Sequence, residues 1–441
     1  MGRIAGLRCR ACSTPYPTGP NYVCARCFGP LEVVYDEAEV RETLTREAIA
    51  SRPAGIWRYR ELLPVSEPPE RGLPVGSTPL QRADRLAARL GVERIWLKND
   101  SLNPTLSFKD RVVAVAVARA VEFGFTTLAC ASTGNLAGAI AAAAGVVGLP
   151  SYVFVPADIE PGKIRQAIAF GARLVPIAGT YDEINRLSVE VADELGWAVV
   201  NVTLRPFYAE GSKTLAYEVA EQLGWRLPDV VVAPIASGSL YTKVAKGFDE
   251  LARYGLVEPK PIRFVGAQPE GCAPVAAAWA TGAERPIPVR EPSTIVKSLA
   301  IGIPADGSEA LRLARESGGS IEAVDDAATV ICLQQVAAEE GILAEPAGGC
   351  TLAALEQAVR RGLIDPTEEV VVLLTGNGLK TPGAIAPPDA LDSVESPIPP
   401  TYAAFEGWLE QREGTATARA NERRRVPVPS AAALQAVSRI G

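Results

Sequence analysis

At 441 residues and 48% hydrophobic composition, the chain is long enough for about two to three domains and has ample material for a large core. Its net charge of −7 argues against nucleic-acid or polyanion binding as the main activity. It contains no histidine, which excludes His-dependent triads, His metal sites and imidazole bases; Lys, carboxylate, Tyr, Cys, water or the substrate must move any proton.

Four of the eight cysteines come first in the chain. Cys9, Cys12, Cys24 and Cys27 form C-x2-C-x11-C-x2-C, the spacing of a zinc ribbon. Four thiolates at two tight corners can close a tetrahedron around Zn2+ and leave no position for substrate, so a structural metal is expected; a metal-free or disulfide-closed knuckle is the alternative. Cys130, Cys272, Cys332 and Cys350 are scattered and read as buried small residues. The N-terminus MGRIAGLRCRAC lacks a continuous apolar region, and no run of about 18 apolar residues follows, so a cytoplasmic chain is expected.

Residues Ile95 to Lys98 read as a strand, Asn99 to Thr105 as a polar loop, and Arg111 to Phe123 as an apolar helix. Ser107 then falls where an N-cap belongs, with Lys109 in the first turn. The positive end of the helix dipole repels an ammonium there and eases loss of its proton, as an imine-forming lysine requires. Taken alone, the stretch fits either that amine or a solvated lysine on an ordinary helix.

From about residue 90 to 375 strands and helices alternate, the order of an α/β chain with mainly parallel sheets. The strands read are Thr126 to Ala131, Ser151 to Pro156, Arg173 to Ala178, Trp197 to Val202, Val230 to Ile235, Arg263 to Gln268 and Val370 to Thr375. Helices are predicted over Asn135 to Val147, Gly162 to Phe170, Tyr181 to Leu195, Glu210 to Leu223 and Leu240 to Leu251, with more within 308–361. Two βα lobes are expected. After about Pro388 the chain turns rich in Pro, Ala and charge, with one helix expected near Thr401 to Gln411 and a basic run from Glu422 to Arg425 that reads as a solvated patch.

Three loops follow core strands, where ligands gather in open sheets. In Ser132 to Gly138 (STGNLAG) the backbone N–H groups and the Ser132 and Thr133 hydroxyls suit a carboxylate, and Asn135 a polar ring substituent. In Ile235 to Leu240 (IASGSL), small residues let the backbone approach a phosphate, although neither a Walker A loop nor a G-x-G-x-x-G is present. Leu373 to Pro382 (LLTGNGLKTP) places Thr375 at a strand's carboxyl end, where a hydroxyl can meet a ring nitrogen without imposing charge. Each alone could be an ordinary turn.

Together these segments resemble the fold type II pyridoxal-phosphate enzymes, and within them the threonine synthase family. The carrying segments are GSTPL (Gly76 to Leu80), NPTLSFKDR (Asn103 to Arg111), STGNLAG, Arg205 to Trp225, IASGSLYTK (Ile235 to Lys243), Thr294 to Pro304, EPAGGCTLAAL (Glu345 to Leu355) and LLTGNGLKTP. EGSKT at Glu210 to Thr214 together with GNGLKTP is the more specific pair. The resemblance implies a two-lobed α/β architecture, each lobe a mainly parallel sheet flanked by helices, behind a zinc-ribbon-like element. It divides the chain into 1–45 (ribbon), 46–90 with 203–388 (large cofactor-binding domain), 91–202 (small domain) and 389–441 (tail). It makes Lys109 the Schiff-base lysine and Phe108 its aromatic neighbour, with Asn135 on the ring 3-hydroxyl. Ala236, Ser237, Gly238, Ser239 and Leu240 would hold the cofactor phosphate and Thr375 the pyridine nitrogen. Ser132, Thr133 and Gly134 would hold the substrate carboxylate, and Asn201, Thr203, Arg205 and Lys213 the phosphate of O-phospho-L-homoserine. The implied enzyme is a homodimeric carbon–oxygen lyase that ends threonine biosynthesis. The alternative is another fold type II lyase, such as cysteate synthase or threonine dehydratase.

Overall fold

The computed structural model describes residues 4–132, 134–157, 161–179, 181–385 and 397–410. Thr133 and the basic run Glu422 to Arg425 lie outside them. Residues Met1–Ile385 form one compact unit and Ala386–Gly441 a second, within which residues 402–410 are helical and Phe405 stacks on Trp408.

Three sheets organise the first unit. The ribbon is a three-stranded antiparallel sheet in which Ile4–Cys9 lies between Pro15–Tyr16 and Leu31–Tyr35. The largest sheet runs Ser320–Val324, Arg263–Pro269, Val230–Pro234, Glu369–Leu374, Arg94–Asn99 and Leu80–Arg82 across its width. All neighbours are parallel except the last pair. Its central strands are buried throughout, as continuous runs such as EVVVLL require when helices cover both faces. A four-stranded parallel sheet runs Arg173–Ile177, Ser151–Pro156, Leu128–Ala131 and Ala198–Val199.

The expected α/β architecture with mainly parallel sheets is present, and several sequence boundaries move. The small domain was expected to begin at residue 91, yet the strand Arg94–Asn99 pairs with Glu369–Leu374 in the large sheet. The smaller sheet begins only at Leu128. Of the strand expected over Trp197 to Val202 only Ala198–Val199 pairs, because the N–H groups of Val202 and Thr203 both turn back to the Val199 carbonyl. The helix expected from Glu210 is three pieces, Arg205–Glu210, a 3-10 turn Gly211–Lys213 and Thr214–Gln222. Packing explains that crossing: a Cβ on Gly211 would stand 2.5 Å from the Arg111 carbonyl oxygen, so only glycine lets the two segments meet. The short strands Leu80–Arg82 and Ser320–Val324 carry no period long enough to read in the sequence.

Candidate active site

Lys109 opens the helix Lys109–Glu122, and the backbone before it is pinned to the end of a core strand. Phe108 N–H donates to the Thr375 carbonyl at 2.9 Å, Ser107 bridges Gly376, and Asn377 N–H reaches the Leu106 carbonyl at 3.1 Å. The helix start and the Thr375 loop therefore act as one rigid edge. Ser107 does not cap the helix: Phe108 occupies that position in helical conformation, and the buried Ser107 hydroxyl has no partner among the described residues. Asp110 tightens the loop instead, accepting the Thr105 N–H and hydroxyl at 2.7 Å each. Burial pushes the Asp110 carboxyl up to about 6.

Behind the lysine, Arg111 is fully buried between two carboxylates. It donates to Asp100 at 2.6 and 2.8 Å and to Glu218 at 2.7 Å twice, with Thr78 and Thr214 completing its contacts. Lys98 shares Glu218 at 2.6 Å. Burial alone would raise the Glu218 carboxyl, but Arg111 and Lys98 outweigh it and hold the group down to about 2. The node fixes the helix start from which Lys109 projects.

The half-buried Lys109 ammonium lies 3.1 Å from the Tyr208 hydroxyl, above the rings of Phe108 (4.7 Å) and Tyr208 (5.7 Å). Asn135, the first residue of the helix Asn135–Val147, donates to Glu345 at 2.8 Å. Thr375 approaches the other oxygen of Glu345 at 3.5 Å. Glu345 therefore links the two expected ring contacts. Burial raises its carboxyl above the ordinary range, opposed by Asn135, Lys380 and Lys109. The fit around it is close, since a Cβ on Gly376 would lie 2.3–2.6 Å from the Glu345 carboxyl atoms. Ser132 accepts from the N–H groups of Gly134 and Ala137 at 3.2 Å each.

The loop Ala236 to Leu240 enters the helix Ser239–Arg253, whose N-terminus has no side-chain cap. Gly238 has φ 93°, and a Cβ there would stand 2.7 Å from the Asp306 carbonyl oxygen, so conformation and space both require glycine. Asp306 N–H donates to the Ser237 carbonyl at 2.8 Å. Arg10 and Arg205 both pair with the Asp306 carboxylate.

Of the residues expected to hold a substrate phosphate, Asn201, Thr203 and Arg205 share the segment after the edge strand Ala198–Val199. Asn201 has a buried Oδ1 without a partner among the described residues, and Thr203 donates to the Val199 carbonyl at 3.1 Å. Lys213 is the exception and needs correction. It is fully buried, with its ammonium held by Glu210 at 2.5 Å, Glu250 at 3.0 Å and the Tyr35 hydroxyl at 3.3 Å. Its ammonium is taken up inside a closed cluster, where Glu210 and Glu250 are shared with Lys243 and Lys246, rather than turned towards a ligand.

The ribbon cysteines converge, and all four Sγ atoms lie within 4.8 Å of one another. Sulfurs about 2.3 Å from one ion in a tetrahedron stand about 3.8 Å apart. The thiols are free, and the pairs Cys9–Cys27 and Cys12–Cys24 lie at 3.5 and 3.6 Å. Tight turns shape both knuckles, with Ser13 N–H on the Cys9 carbonyl and Phe28 N–H on the Cys24 carbonyl.

Sequence reasoning missed Glu345, Tyr208 and Lys380. Glu345 had a signal, because it opens the EPAGG segment at a helix start. Tyr208 had none, since only the fold brings it to Lys109. The Lys380 ammonium is buried without a hydrogen-bond partner among the described residues, and burial lowers its pKa against the pull of Glu345 and Asp110.

The chain belongs to the pyridoxal-phosphate dependent enzymes, whose family profile matches residues 72–376. Solved structures agree on the fold: maize serine racemase superposes with a TM-score of 0.58 at 21% identity, covering 68% of this chain and 89% of that one. Within the class, the chain belongs to the threonine synthase family. It is 35% identical to threonine synthase of Methanocaldococcus jannaschii over 393 residues, 89% of this chain and 95% of that protein. The Methanosarcina acetivorans enzyme is 35% identical over 381 residues, 86% and 93% of the two chains.

The residues present fit pyridoxal phosphate. An amide and a hydroxyl meet Glu345, and the Lys109 amine is close enough to act on its charge; the Ser107 and Thr381 hydroxyls and the Lys380 ammonium are buried without partners among the described residues; and an uncapped helix start with an obligatory glycine suits a phosphate.

Proposed function

We propose that this chain converts O-phospho-L-homoserine and water to L-threonine and phosphate. The observation that carries the reading is the shared edge at the end of the core strand. The 2.9 Å bond from Phe108 N–H to the Thr375 carbonyl sets Lys109 beside the loop that faces Asn135 through Glu345.

Bound pyridoxal phosphate supplies an electron sink for the pair left when a proton leaves the substrate Cα. Lys109 is the base for that proton, since it is the amine at the site and no imidazole exists in the chain. The Tyr208 hydroxyl orients the amine. Asn135 holds the ring 3-hydroxyl, and the Thr375 hydroxyl meets the ring nitrogen as a neutral partner. The Ser237 to Leu240 N–H groups hold the cofactor phosphate, and Phe108 lies against the ring. Ser132, Gly134 and the start of the helix Asn135–Val147 receive the substrate carboxylate, with Thr133 the remaining candidate there.

Arg205, with Asn201 and Thr203, receives the substrate phosphate. A second proton then leaves Cβ, the Cγ–O bond breaks and phosphate departs with the electron pair. Lys109 returns a proton to Cγ, water adds at Cβ with its oxygen becoming the threonine hydroxyl, a proton returns to Cα in place of the one first removed, and the third stays on the released phosphate. Lys109 and the departing phosphate carry the protons, so the balance closes without an outside acid.

Lys109→Ala tests this reading. The variant should lose threonine formation and the visible absorbance of the lysine-bound cofactor; unchanged turnover would overturn the assignment. O-phosphoserine with sulfite, supplied in parallel, distinguishes a cysteate synthase, which would favour that pair.

We further infer that the ribbon holds one structural Zn2+ through Cys9, Cys12, Cys24 and Cys27, supported by the clustering of their sulfurs. A cytoplasmic setting fits the absence, among the described residues, of a helix long and apolar enough to cross a membrane.

A further inference from the structure

One carboxylate joins three parts of the molecule. Asp306 is buried just before the helix Gly307–Glu316, and its backbone clamps the Ser237–Gly238 turn from both sides: its N–H reaches the Ser237 carbonyl at 2.8 Å, and its carbonyl oxygen closes on Gly238. Two guanidinium groups meet its side chain. Arg10, between the ribbon cysteines Cys9 and Cys12, takes one oxygen, and Arg205 takes the other at 3.0 Å. Arg205 makes this one ionic contact among the described residues and keeps a third of its side chain (33%) exposed.

Arg10, Arg205 and Asp306 together carry a net charge of +1 beside a loop built for phosphate, with Glu32 and Glu309 close enough to act on Arg10. With Arg10 removed, Arg205 and Asp306 would close into a neutral pair, which attracts a phosphate dianion weakly. We propose that Arg10 is a positioning residue of the anion site: by neutralising Asp306 it leaves the Arg205 charge available to the phosphate of the substrate. The ribbon thus supplies a residue to substrate recognition. This rests on the reading that Arg205 receives the substrate phosphate.

The test uses the cofactor-saturated enzyme and two readouts, KM for O-phospho-L-homoserine and calorimetric binding of inorganic phosphate. Arg10→Gln should raise KM and weaken phosphate binding by about tenfold each while kcat holds, and Arg10→Lys should recover most of the loss. The decisive variant is Arg10→Gln with Asp306→Asn, which should return both readouts towards wild type because Arg205 is freed again. A purely mechanical tie between ribbon and body would make the double variant as poor as Arg10→Gln or worse, and that result would overturn the inference. Should Arg10→Gln fold poorly, Asp306→Asn alone decides: phosphate should bind at least as tightly as to wild type, and weaker binding contradicts the proposal. Arg205→Gln separates the two readings. If it leaves KM unchanged, the placement of the substrate phosphate fails; if it raises KM while Arg10→Gln does not, the inference on Arg10 alone fails.

Discussion

The smallest unit that decides this site is the carboxyl of Glu345, wedged between Asn135, Thr375 and the missing Cβ of Gly376. An added methyl at 376 has nowhere to go except against that carboxyl. Gly376→Ala should therefore displace Glu345 and weaken cofactor affinity by about tenfold or more, read by titrating the apoenzyme and following visible absorbance. Affinity equal to wild type would show that Glu345 moves freely and does not shape the site. Arg111 works from behind. Arg111→Met would leave Asp100 in the interior without a facing cation and Glu218 with Lys98 alone, and removing one partner of such a buried set costs about 3–5 kcal/mol. Urea unfolding measures that loss, and a midpoint within error of wild type would contradict the role given to the node.

At the scale of elements, the ribbon and the Lys109 helix show what a sequence can carry. The cysteine spacing predicted the cluster because ligand geometry demands two tight knuckles, and those are local. The helices Asn135–Val147 and Tyr181–Leu195 were legible to the residue, since their apolar periods are uninterrupted. Ser107 was read as a cap because local rules favour serine there, yet a tertiary bridge to Gly376 took over its backbone. Lys213 was drawn to the site by its motif, whereas Glu250, distant in sequence, holds it elsewhere. Asp306 and Tyr208 were invisible for the same reason: their meaning comes from partners brought by the fold. For the ribbon, metal analysis of the purified protein should find one zinc per chain, and Cys12→Ser should lower both zinc content and melting temperature. A zinc-free protein with an unchanged melting curve would remove the metal from this account.

At the scale of the whole molecule, several buried charges of the first unit are gathered in mutually compensating groups. The ribbon strand Leu31–Tyr35 inserts Glu32 and Tyr35 against Lys243, Lys246, Glu210 and Lys213, which ties the ribbon to the body. Burial works against the charged form of Glu32, Glu210 and Glu218, but the facing cations prevail. Glu32 and Glu218 are held down to about 2, and Glu210 well below its ordinary value. A carboxylate depressed in the folded state stabilises fully above its unfolded pKa near 4.5 and loses that contribution as pH falls towards the folded value. The melting temperature should thus hold from neutral pH down to about 5 and drop steeply between about 4.5 and about 2. A flat profile across that acid window would show that these pairs do not support the fold.

The reaction can be read by giving the purified, cofactor-loaded enzyme O-phospho-L-homoserine and measuring both products together. Threonine and inorganic phosphate should appear in equal amounts. Phosphate released without threonine, or no turnover at all, would contradict it.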